Sequence, residues 1–224
     1  MCTKKEPEDG FDNILSDIHY TFINIRIYNR FMKKILVILG HPRVKSYNGA
    51  LADSYVKGAK KSGAQVKRIN LRDLRFDPIL WEGYAKIQEL EEDLVQAQKD
   101  ILWAEHLVFI FPTWWATIPA LLKGFIDRIF LPGFAFKYRK DFPWWDKYLK
   151  GKSARIIVTM DAPYLYYKFF IGSPGIKMLK RGVLQFSGVK PVKITPIGQI
   201  RFLTGEKAKK WLKKIEVLGM KEGK

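Results

Sequence analysis

The sequence predicts an α/β fold in which a five-stranded parallel sheet lies between two layers of helices, a three-layer sandwich. The first observation behind this prediction is a set of short, continuous apolar runs, such as residues 35–39 and 106–111, which are typical of strands buried on both faces. The second is that stretches with apolar residues at helical spacing separate these runs. Strand and helix therefore alternate about five times, as in a parallel sheet with right-handed crossovers.

The predicted elements follow one another without a linker or an internal repeat. Strands are predicted at residues 35–39, 65–71, 106–111, 154–160 and 192–197. Helices are predicted after the caps Ser46 and Asn48 up to Gly63, at 82–103, 119–130 and 176–186, and at 206–218 after the cap Thr204. Residues 132–151 and 161–175 are predicted to be irregular. Five strands favour the flavodoxin-like order 2-1-3-4-5, in which ligands lie beyond the carboxyl ends of the first, third and fourth strands.

Length and composition favour a single globular domain, since the chain has 224 residues, of which 47% are hydrophobic and 28% charged. Residues 1–31 begin acidic and polar, so we expect a poorly ordered leader or a mis-assigned start before a domain at 32–224. Cys2 is the only cysteine, which excludes a disulfide framework and a cysteine-based metal site. A reducing, cytoplasmic location fits best, and no apolar run is long enough to span a bilayer.

The formal net charge of +18 indicates either a negatively charged partner or simply a solvated basic surface. The excess lies in the C-terminal half, where residues 133–193 carry thirteen Lys or Arg against three Asp. No helix-turn-helix, zinc or RNA-binding signature accompanies this charge, which argues against nucleic acid as the partner. Anionic lipid and a phosphorylated cofactor are the remaining candidates.

The first strand ends in a short polar loop at residues 40–49. Because this loop leads into a helix N-terminus, its amides and the helix dipole favour a bound anion. His41, Arg43 and Lys45 add positive or donor groups to the same loop. We therefore expect a phosphate-bearing cofactor here, with an ordinary βα turn as the alternative.

The third strand ends in an aromatic loop that contains Trp114 and Trp115. Two adjacent tryptophans at a strand end do not both fit into one small core, and their flat faces suit a planar heterocycle. The chain offers no Ser/His/Asp set, cysteine nucleophile, carboxylate pair or metal-ligand spacing. A phosphate loop and an aromatic wall without such machinery favour an enzyme whose cofactor does the hard chemistry.

Four segments resemble, in this order and spacing, the flavodoxin-like NAD(P)H:quinone oxidoreductase family (quinone reductases, modulators of drug activity and potassium-efflux ancillary reductases). They are residues 40–48, 73–79, 111–130 and 133–138. The most specific is the Pro-x-Trp-Trp motif followed by Pro-Ala-Leu-Leu-Lys-Gly and by Asp127 and Arg128. The resemblance covers about residues 33–200. It implies a bound flavin (FMN or FAD), NAD(P)H as co-substrate, a quinone acceptor and a homodimer.

The resemblance also implies roles for individual residues. The flavin's phosphate and ribityl chain would contact His41, Ser46, Tyr47 and Asn48, and its isoalloxazine would contact Pro112, Thr113, Trp114, Trp115 and Ala116. The predicted cofactor site is completed by Arg43 and by the loop after the fourth strand, Thr159, Met160, Asp161 and Ala162. Phe136 and Tyr138 match positions that reach over the partner subunit's flavin and shape the substrate pocket. Asp127 and Arg128 are interpreted as structural.

The chain departs from this family after the fourth strand. Animal quinone reductases carry Thr-Thr-Gly-Gly there, followed by a Tyr and a His that steady charge on the reduced flavin, whereas residues 159–170 of this chain contain no His. The candidate donors, among which the sequence does not choose, are Tyr164, Tyr166, Tyr167 and Lys168. A charged Asp161 near the flavin would make the flavin harder to reduce.

The leading hypothesis is a flavin-dependent reductase that passes two electrons from NAD(P)H to a quinone or similar acceptor in a ping-pong cycle, with a slight preference for NADPH because of the basic surplus. One alternative is a flavodoxin-type electron carrier, although such carriers are typically acidic and lack the aromatic segment 133–148. Another is a membrane-associated regulatory flavoprotein subunit, because the basic, aromatic segments 134–152 and 164–170 suit a peripheral contact with an anionic membrane that carries quinone.

Overall fold

Strands and helices alternate as predicted in residues 32–43 and 45–224, the part of the chain that the computed structural model describes. The strands are β1 (Lys34–Leu39), β2 (Gln65–Asn70), β3 (His106–Pro112), β4 (Phe136–Tyr138), β5 (Trp145–Lys147), β6 (Ser153–Thr159) and β7 (Val192–Ile197). The α-helices are α1 (Tyr47–Lys61), α2 (Glu92–Trp103), α3 (Ala120–Ile129), α4 (Tyr164–Phe169), α5 (Pro174–Lys177) and α6 (Gly205–Glu222). A π-helix, Met178–Gln185, continues α5, and two short 3₁₀ turns lie at Leu71–Asp73 and Ile200–Phe202.

Five of the strands form one parallel sheet in the order β2-β1-β3-β6-β7, which confirms the predicted flavodoxin-like order. Alternate residues of β1 enter two different apolar clusters, one on each face of the sheet: Leu36 and Ile38 belong to the first, and Ile35 and Val37 to the second. This two-sided burial explains why β1 reads as a continuous apolar run. The sheet with its two helical layers is the predicted three-layer sandwich.

The helix predicted at 82–103 begins only at Glu92, so the prediction for residues 82–91 was wrong. The cause is Arg128, whose fully buried guanidinium donates to the carbonyls of Asp77 and Glu89 and to the carboxylate of Glu91. These bonds fix the two ends of a loop where the local pattern predicted a helix. Glu91 was predicted to lie on a solvated helix face, whereas the structural interpretation of Arg128 is confirmed.

Two segments predicted to be irregular contain regular structure. β4 and β5 pair as an antiparallel hairpin, which packs on the end of the π-helix through Trp145. The Trp145 ring stacks on Phe186 at a centroid distance of 4.2 Å, and its Nε1 donates to the Phe186 carbonyl at 2.9 Å. The second segment contains α4. Elements of three to six residues are too short to produce a recognisable hydrophobic period.

Helix α6 is held against the sheet by a buried ionic cluster around Glu222. The Arg155 guanidinium donates to both carboxylate oxygens of Glu222, at 2.6 and 2.8 Å, and the Tyr55 hydroxyl donates to the carboxylate at 2.9 Å. The Nε2 atom of His106 lies 3.3 Å from the same carboxylate. Burial alone would raise the pKa of Glu222, but the neighbouring His106 and Arg155 hold that pKa at about 2.

Residues Lys33–Lys224 form one compact unit. The predicted leader, residues 1–31, lies outside the described residues. Within the described part of the chain, no helix is both long and apolar enough to cross a membrane. Those residues also contain no group of three or more His, Cys, Asp or Glu side chains that could hold a metal ion.

Candidate functional site

Three loops meet at the carboxyl edge of the sheet, where β1, β3 and β6 lie side by side. They are residues 40–46, 113–119 and 160–163. In an open parallel sheet, the crevice between loops at this edge is the usual ligand site, above all where neighbouring strands are followed by helices on opposite faces. The predicted cofactor residues belong to these loops or to the elements that they join.

The first loop ends at a capped helix N-terminus. Ser46 Oγ accepts a hydrogen bond from the Gly49 N–H at 3.1 Å, as predicted for the cap of α1. In the same loop, His41 Nδ1 accepts from the Arg43 N–H at 2.9 Å, so Nε2 carries the ring proton. Burial and the charge of Arg43 lower the pKa of His41, which keeps the ring neutral near pH 7. The loop therefore offers a neutral N–H donor next to an exposed cation.

Thr159, at the end of β6, ties all three loops together. The buried Asn48 donates from Nδ2 to Thr159 Oγ1 at 3.0 Å, which joins the start of α1 to β6. The Thr113 N–H donates to the Thr159 carbonyl at 2.7 Å, which joins the aromatic loop to the same residue. One buried residue thus sets the spacing between the start of α1 and the tryptophan loop.

The tryptophans lie on a tight turn, residues 114–117, called here the tryptophan turn. Trp114 and Thr117 exchange two backbone hydrogen bonds, of 3.0 and 2.9 Å, and the two residues between them have φ angles of 48° and 60°. Such left-handed angles normally require Gly or Asn, so Trp115 and Ala116 are strained. The Trp115 side chain is 99% exposed, and the Trp114 ring packs edge-on against His41 at 5.8 Å.

The strained turn is supported by the segment after β6. The Tyr167 hydroxyl donates to the Ala116 carbonyl at 2.9 Å, and the side chain is only 3% exposed. The Gly175 N–H reaches the same carbonyl at 3.4 Å. A Cβ at Gly175 would lie 2.8 Å from the Cα of Thr117, so only glycine allows this close approach. Residues outside the turn therefore hold it in its unfavourable conformation.

The comparison with known proteins agrees with this architecture. A profile of the family described as having a flavodoxin-like fold matches residues 33–217. The chain belongs to this flavodoxin-like family.

Relatives of this flavodoxin-like protein include two that are named dehydrogenases. The ribosyldihydronicotinamide dehydrogenase-like protein traD of Penicillium crustosum is 34% identical over 155 residues, which are 57% of this chain and 57% of that protein's length. The mouse ribosyldihydronicotinamide dehydrogenase (quinone) is 29% identical over 190 residues, 70% of this chain and 78% of the relative. Among solved structures, Smu.1420 of Streptococcus mutans is similar with a TM-score of 0.70 and 31% identity, over 84% of this chain and 99% of that one.

The flavodoxin-like fold places the candidate proton donors in three different environments. The Tyr164 side chain lines a cavity and is partly buried. Tyr166 is exposed and stacks on Phe170 at 5.4 Å. Tyr167 points inward, and its hydroxyl is already bonded to Ala116. Lys168 is exposed, with its Nζ 4.9 Å from the Phe169 ring.

The loop after β6 is tied to the loop after β7. The Met160 N–H donates to the Ile197 carbonyl at 2.9 Å. Asp161 accepts from the Arg201 N–H at 3.2 Å, and the Arg201 guanidinium lies 3.7 Å from its carboxylate. The Ala162 carbonyl accepts from the Gln199 N–H at 3.4 Å. Arg201 partly offsets the negative charge of Asp161, which reduces the predicted effect of that carboxylate on a nearby flavin.

Phe136 and Tyr138 are not near the three loops within one chain. They lie on the β4–β5 hairpin. The segment that leads from this hairpin into β6 is joined to the segment that leads into β7, because the Leu149 N–H donates to the Ser187 carbonyl at 3.0 Å. Both segments precede their strands, so the hairpin lies at the amino edge of the sheet. Phe136 is buried against Phe186 at 4.9 Å, whereas the Tyr138 side chain is exposed. Of the two, Tyr138 is the one free to contact another molecule.

Sequence reasoning missed a basic, aromatic cavity of about 860 Å³ beside the site. It lies between the loops after β6 and β7 and the first half of α6, and no acidic side chain lines it within the described residues. The lysines of α6 that line it are Lys207, Lys210 and Lys214, together with Trp211. Their spacing on one helix face was a visible signal, but exposed lysines of a basic protein are normally solvated surface.

The site fits a flavin by its shape and its donors. The exposed Trp115 and the half-exposed Trp114 provide aromatic faces beside a capped helix N-terminus, which suits a planar ring joined to a phosphate. Thr113 Oγ1 is buried in this loop next to the Tyr167 hydroxyl, so the side chain belongs to the support of the tryptophan turn.

Proposed function

We propose that the protein is a flavin-dependent NAD(P)H oxidoreductase that reduces a quinone or a related acceptor by two electrons. The single observation that carries the proposal is the tie at Thr159, which holds a phosphate-binding helix start and two exposed tryptophans at one edge of the sheet. The quinone and NAD(P)H parts of the proposal are supported by the names of the relatives. A cytoplasmic location is supported by NAD(P)H as the electron donor and by Cys2 as the only cysteine of the chain.

When bound, a flavin supplies the two-electron chemistry between a hydride donor and an acceptor. The residues of this chain bind and orient it. His41 donates from Nε2 and the first amides of α1 donate from the backbone to the phosphate, while Trp114 and Trp115 bound the ring.

The proposed cycle is ping-pong, because donor and acceptor use the same space over the tryptophan turn. NAD(P)H would pass a hydride, two electrons and one proton, to the bound flavin there and leave as NAD(P)⁺. The quinone then enters, gains two electrons and two protons, and leaves as the hydroquinone, with the second proton coming from water. Tyr164 and Tyr166 remain the proposed proton donors, because their hydroxyls donate to no acceptor within the described residues, whereas Tyr167 serves to hold the turn. The basic surplus supports NADPH as the preferred donor.

The flavin that we propose is FAD, because the basic cavity borders the start of α6, which in turn contacts the start of α1. The Tyr47 hydroxyl, next to the Ser46 cap, donates to the Ala208 carbonyl at 3.1 Å, so the N-terminal turns of α1 and α6 are in contact. Lys207, adjacent to Ala208, lines the cavity together with Trp211. A second phosphate would meet the lysines, and an adenine would meet the aromatic wall.

The test of this choice is a pair of dissociation constants, for FAD and FMN, measured by flavin fluorescence with the full-length protein. We expect Lys207→Ala to raise the dissociation constant for FAD about tenfold, as for the loss of one charge-assisted hydrogen bond. The dissociation constant for FMN should not change. Lys209→Ala, on the same helix but outside the cavity, is the control. Equal affinity for FAD and FMN in the unmodified protein would contradict the choice of FAD.

We also propose a homodimer, since Tyr138 can reach a cofactor site only in another copy. Size-exclusion chromatography with light scattering measures the mass, and Tyr138→Ala is expected to raise the KM for quinone without changing the affinity for flavin. A monomer with full activity would contradict this proposal.

Steady-state kinetics separate the reductase from the flavodoxin-type electron carrier. A ping-pong reductase gives parallel double-reciprocal lines when NADPH and quinone are varied together. Intersecting lines would contradict the shared pocket, and failure of NAD(P)H to reduce the bound flavin would favour the carrier.

A further inference from the structure

Helix α4 and the residues after it carry apolar side chains on their outer face. Tyr167 points into the protein and is 3% exposed, whereas Phe169 and Phe170 are 69% and 81% exposed. A helix on the surface of a monomeric protein normally shows the opposite arrangement, with polar side chains outside. The exposed side chains therefore require an explanation beyond the folding of this unit.

These side chains form one continuous patch, defined here as residues 165–171 and called the α4 patch. Leu165 and Phe169 are four residues apart on the helix and so are neighbours, and the rings of Tyr166 and Phe170 stack at 5.4 Å. Ile171 extends the patch and is also exposed. Contiguous exposed apolar surface of this kind marks contact with a protein or a membrane.

The surroundings of the α4 patch are positively charged. Lys168 lies within the patch, with Nζ 4.9 Å from the Phe169 ring. The Lys177 Nζ lies beside Gly172, where the chain leaves the patch, and Arg181 is exposed one helical turn further on. Residues 162–205 contain Lys and Arg but neither Asp nor Glu. The nearest acid in the sequence, Asp161, is paired with Arg201.

We infer that the α4 patch docks on the surface of an anionic lipid bilayer. Aromatic and aliphatic side chains surrounded by Lys and Arg are the composition that inserts at a lipid interface and is attracted by anionic headgroups. A second copy of the chain is the less suitable occupant. A twofold contact of the patch with itself would bring Lys168 and its neighbouring cations close to the same cations of the other copy, whereas the homodimer proposed above makes contact through Tyr138 of the β4–β5 hairpin.

The location of the patch relates docking to the proposed activity. Tyr167, on the inner face of α4, donates to the Ala116 carbonyl, so α4 packs against the tryptophan turn that carries the exposed Trp115. Docking would therefore bring the mouth of the site to the membrane, where an apolar quinone is concentrated. Lipid binding itself does not depend on the proposed function. The entry of quinone into the site from the membrane does rest on it.

Sedimentation with vesicles tests the inference on the full chain, with no NAD(P)H or quinone present. We expect binding to phosphatidylcholine vesicles that contain phosphatidylglycerol, weaker binding at high salt, and little binding to phosphatidylcholine alone. The double variant Phe169→Ser/Phe170→Ser and the charge reversal Lys168→Glu/Lys177→Glu should each weaken binding at least about tenfold. Ile87→Ser, which removes an exposed apolar side chain from another loop, should not change it.

Two results would overturn the inference. One is the absence of binding to the phosphatidylglycerol vesicles at low salt. The other is a Phe169→Ser/Phe170→Ser protein that binds vesicles as before but has lost its dimeric mass, which would make the patch a protein interface. Flavin binding and reduction by NADPH, measured on the same preparations, show separately whether the proposed function holds.

Discussion

The Tyr167→Phe substitution removes a single hydroxyl that supports the tryptophan turn from outside. The hydroxyl is buried and donates to the Ala116 carbonyl at 2.9 Å, and the other donor to that carbonyl, Gly175 N–H, is at a long 3.4 Å. Losing the better donor to this part-buried carbonyl costs about 0.5–1.5 kcal/mol. The two left-handed residues of the turn, Trp115 and Ala116, store about 1–3 kcal/mol each. The turn is therefore expected to relax when its support is lost.

The strained conformation of the turn must be restored when flavin binds, so the free energy that this costs lowers the affinity for flavin. About 1.4 kcal/mol corresponds to a tenfold higher dissociation constant for flavin, which we expect for Tyr167→Phe. Quenching of flavin fluorescence on titration measures this constant. Tyr166→Phe is the matched control, because it removes a hydroxyl from the same helix that contacts no backbone carbonyl among the described residues. An unchanged affinity in Tyr167→Phe, or an equal loss in both variants, would refute the reasoning.

Three further predictions concern the cap, the turn and the acid stability. Ser46→Ala should lower the free energy of unfolding by about 1 kcal/mol in urea denaturation and should also weaken flavin binding. Ser54→Ala, in the same helix, should change neither quantity. Gly175→Ala should raise the dissociation constant for flavin about tenfold or more in the fluorescence titration, since the new Cβ would displace Thr117. The pKa of Glu222 is about 2 in the folded protein, below its ordinary value of 4.5, so its stabilisation is complete above pH 4.5 and is lost as the pH falls towards 2. Urea denaturation across that range should show a loss of stability about 3 kcal/mol larger than in Glu222→Gln, in which other carboxylates with a lowered pKa, such as Glu91 and Glu216, still titrate.

The sheet and the position of the site could be predicted because they depend on local patterns. Strands buried on both faces, such as β1 and β3, must be continuous apolar runs, and their order fixes which loops lie together. The capping role of Ser46 is likewise a local signal. The predicted cofactor loops therefore converge as expected, although the contacts of their residues with a flavin stay a prediction.

The features that were missed depend on contacts between distant parts of the chain. Tyr167 and Ala116 are 51 residues apart, and Arg128 and Glu91 are 37 apart, so no local period records either bond. The left-handed turn at Trp115 was also invisible, since the residues there are not the Gly or Asn that such a turn prefers. Lys207 looked like surface charge because the opposite wall of the cavity, which includes Tyr164 and Phe202, comes from other segments.

The central claim is that the three loops around Thr159 hold a flavin that NAD(P)H reduces and a quinone reoxidises. Its most direct test is the visible absorption spectrum of the purified protein, supplied with FAD or FMN and titrated with NADPH without oxygen. We predict a flavin spectrum that bleaches with NADPH and returns when quinone is added. A protein that stays colourless with both flavins, or one whose bound flavin NADPH does not reduce, would contradict the account.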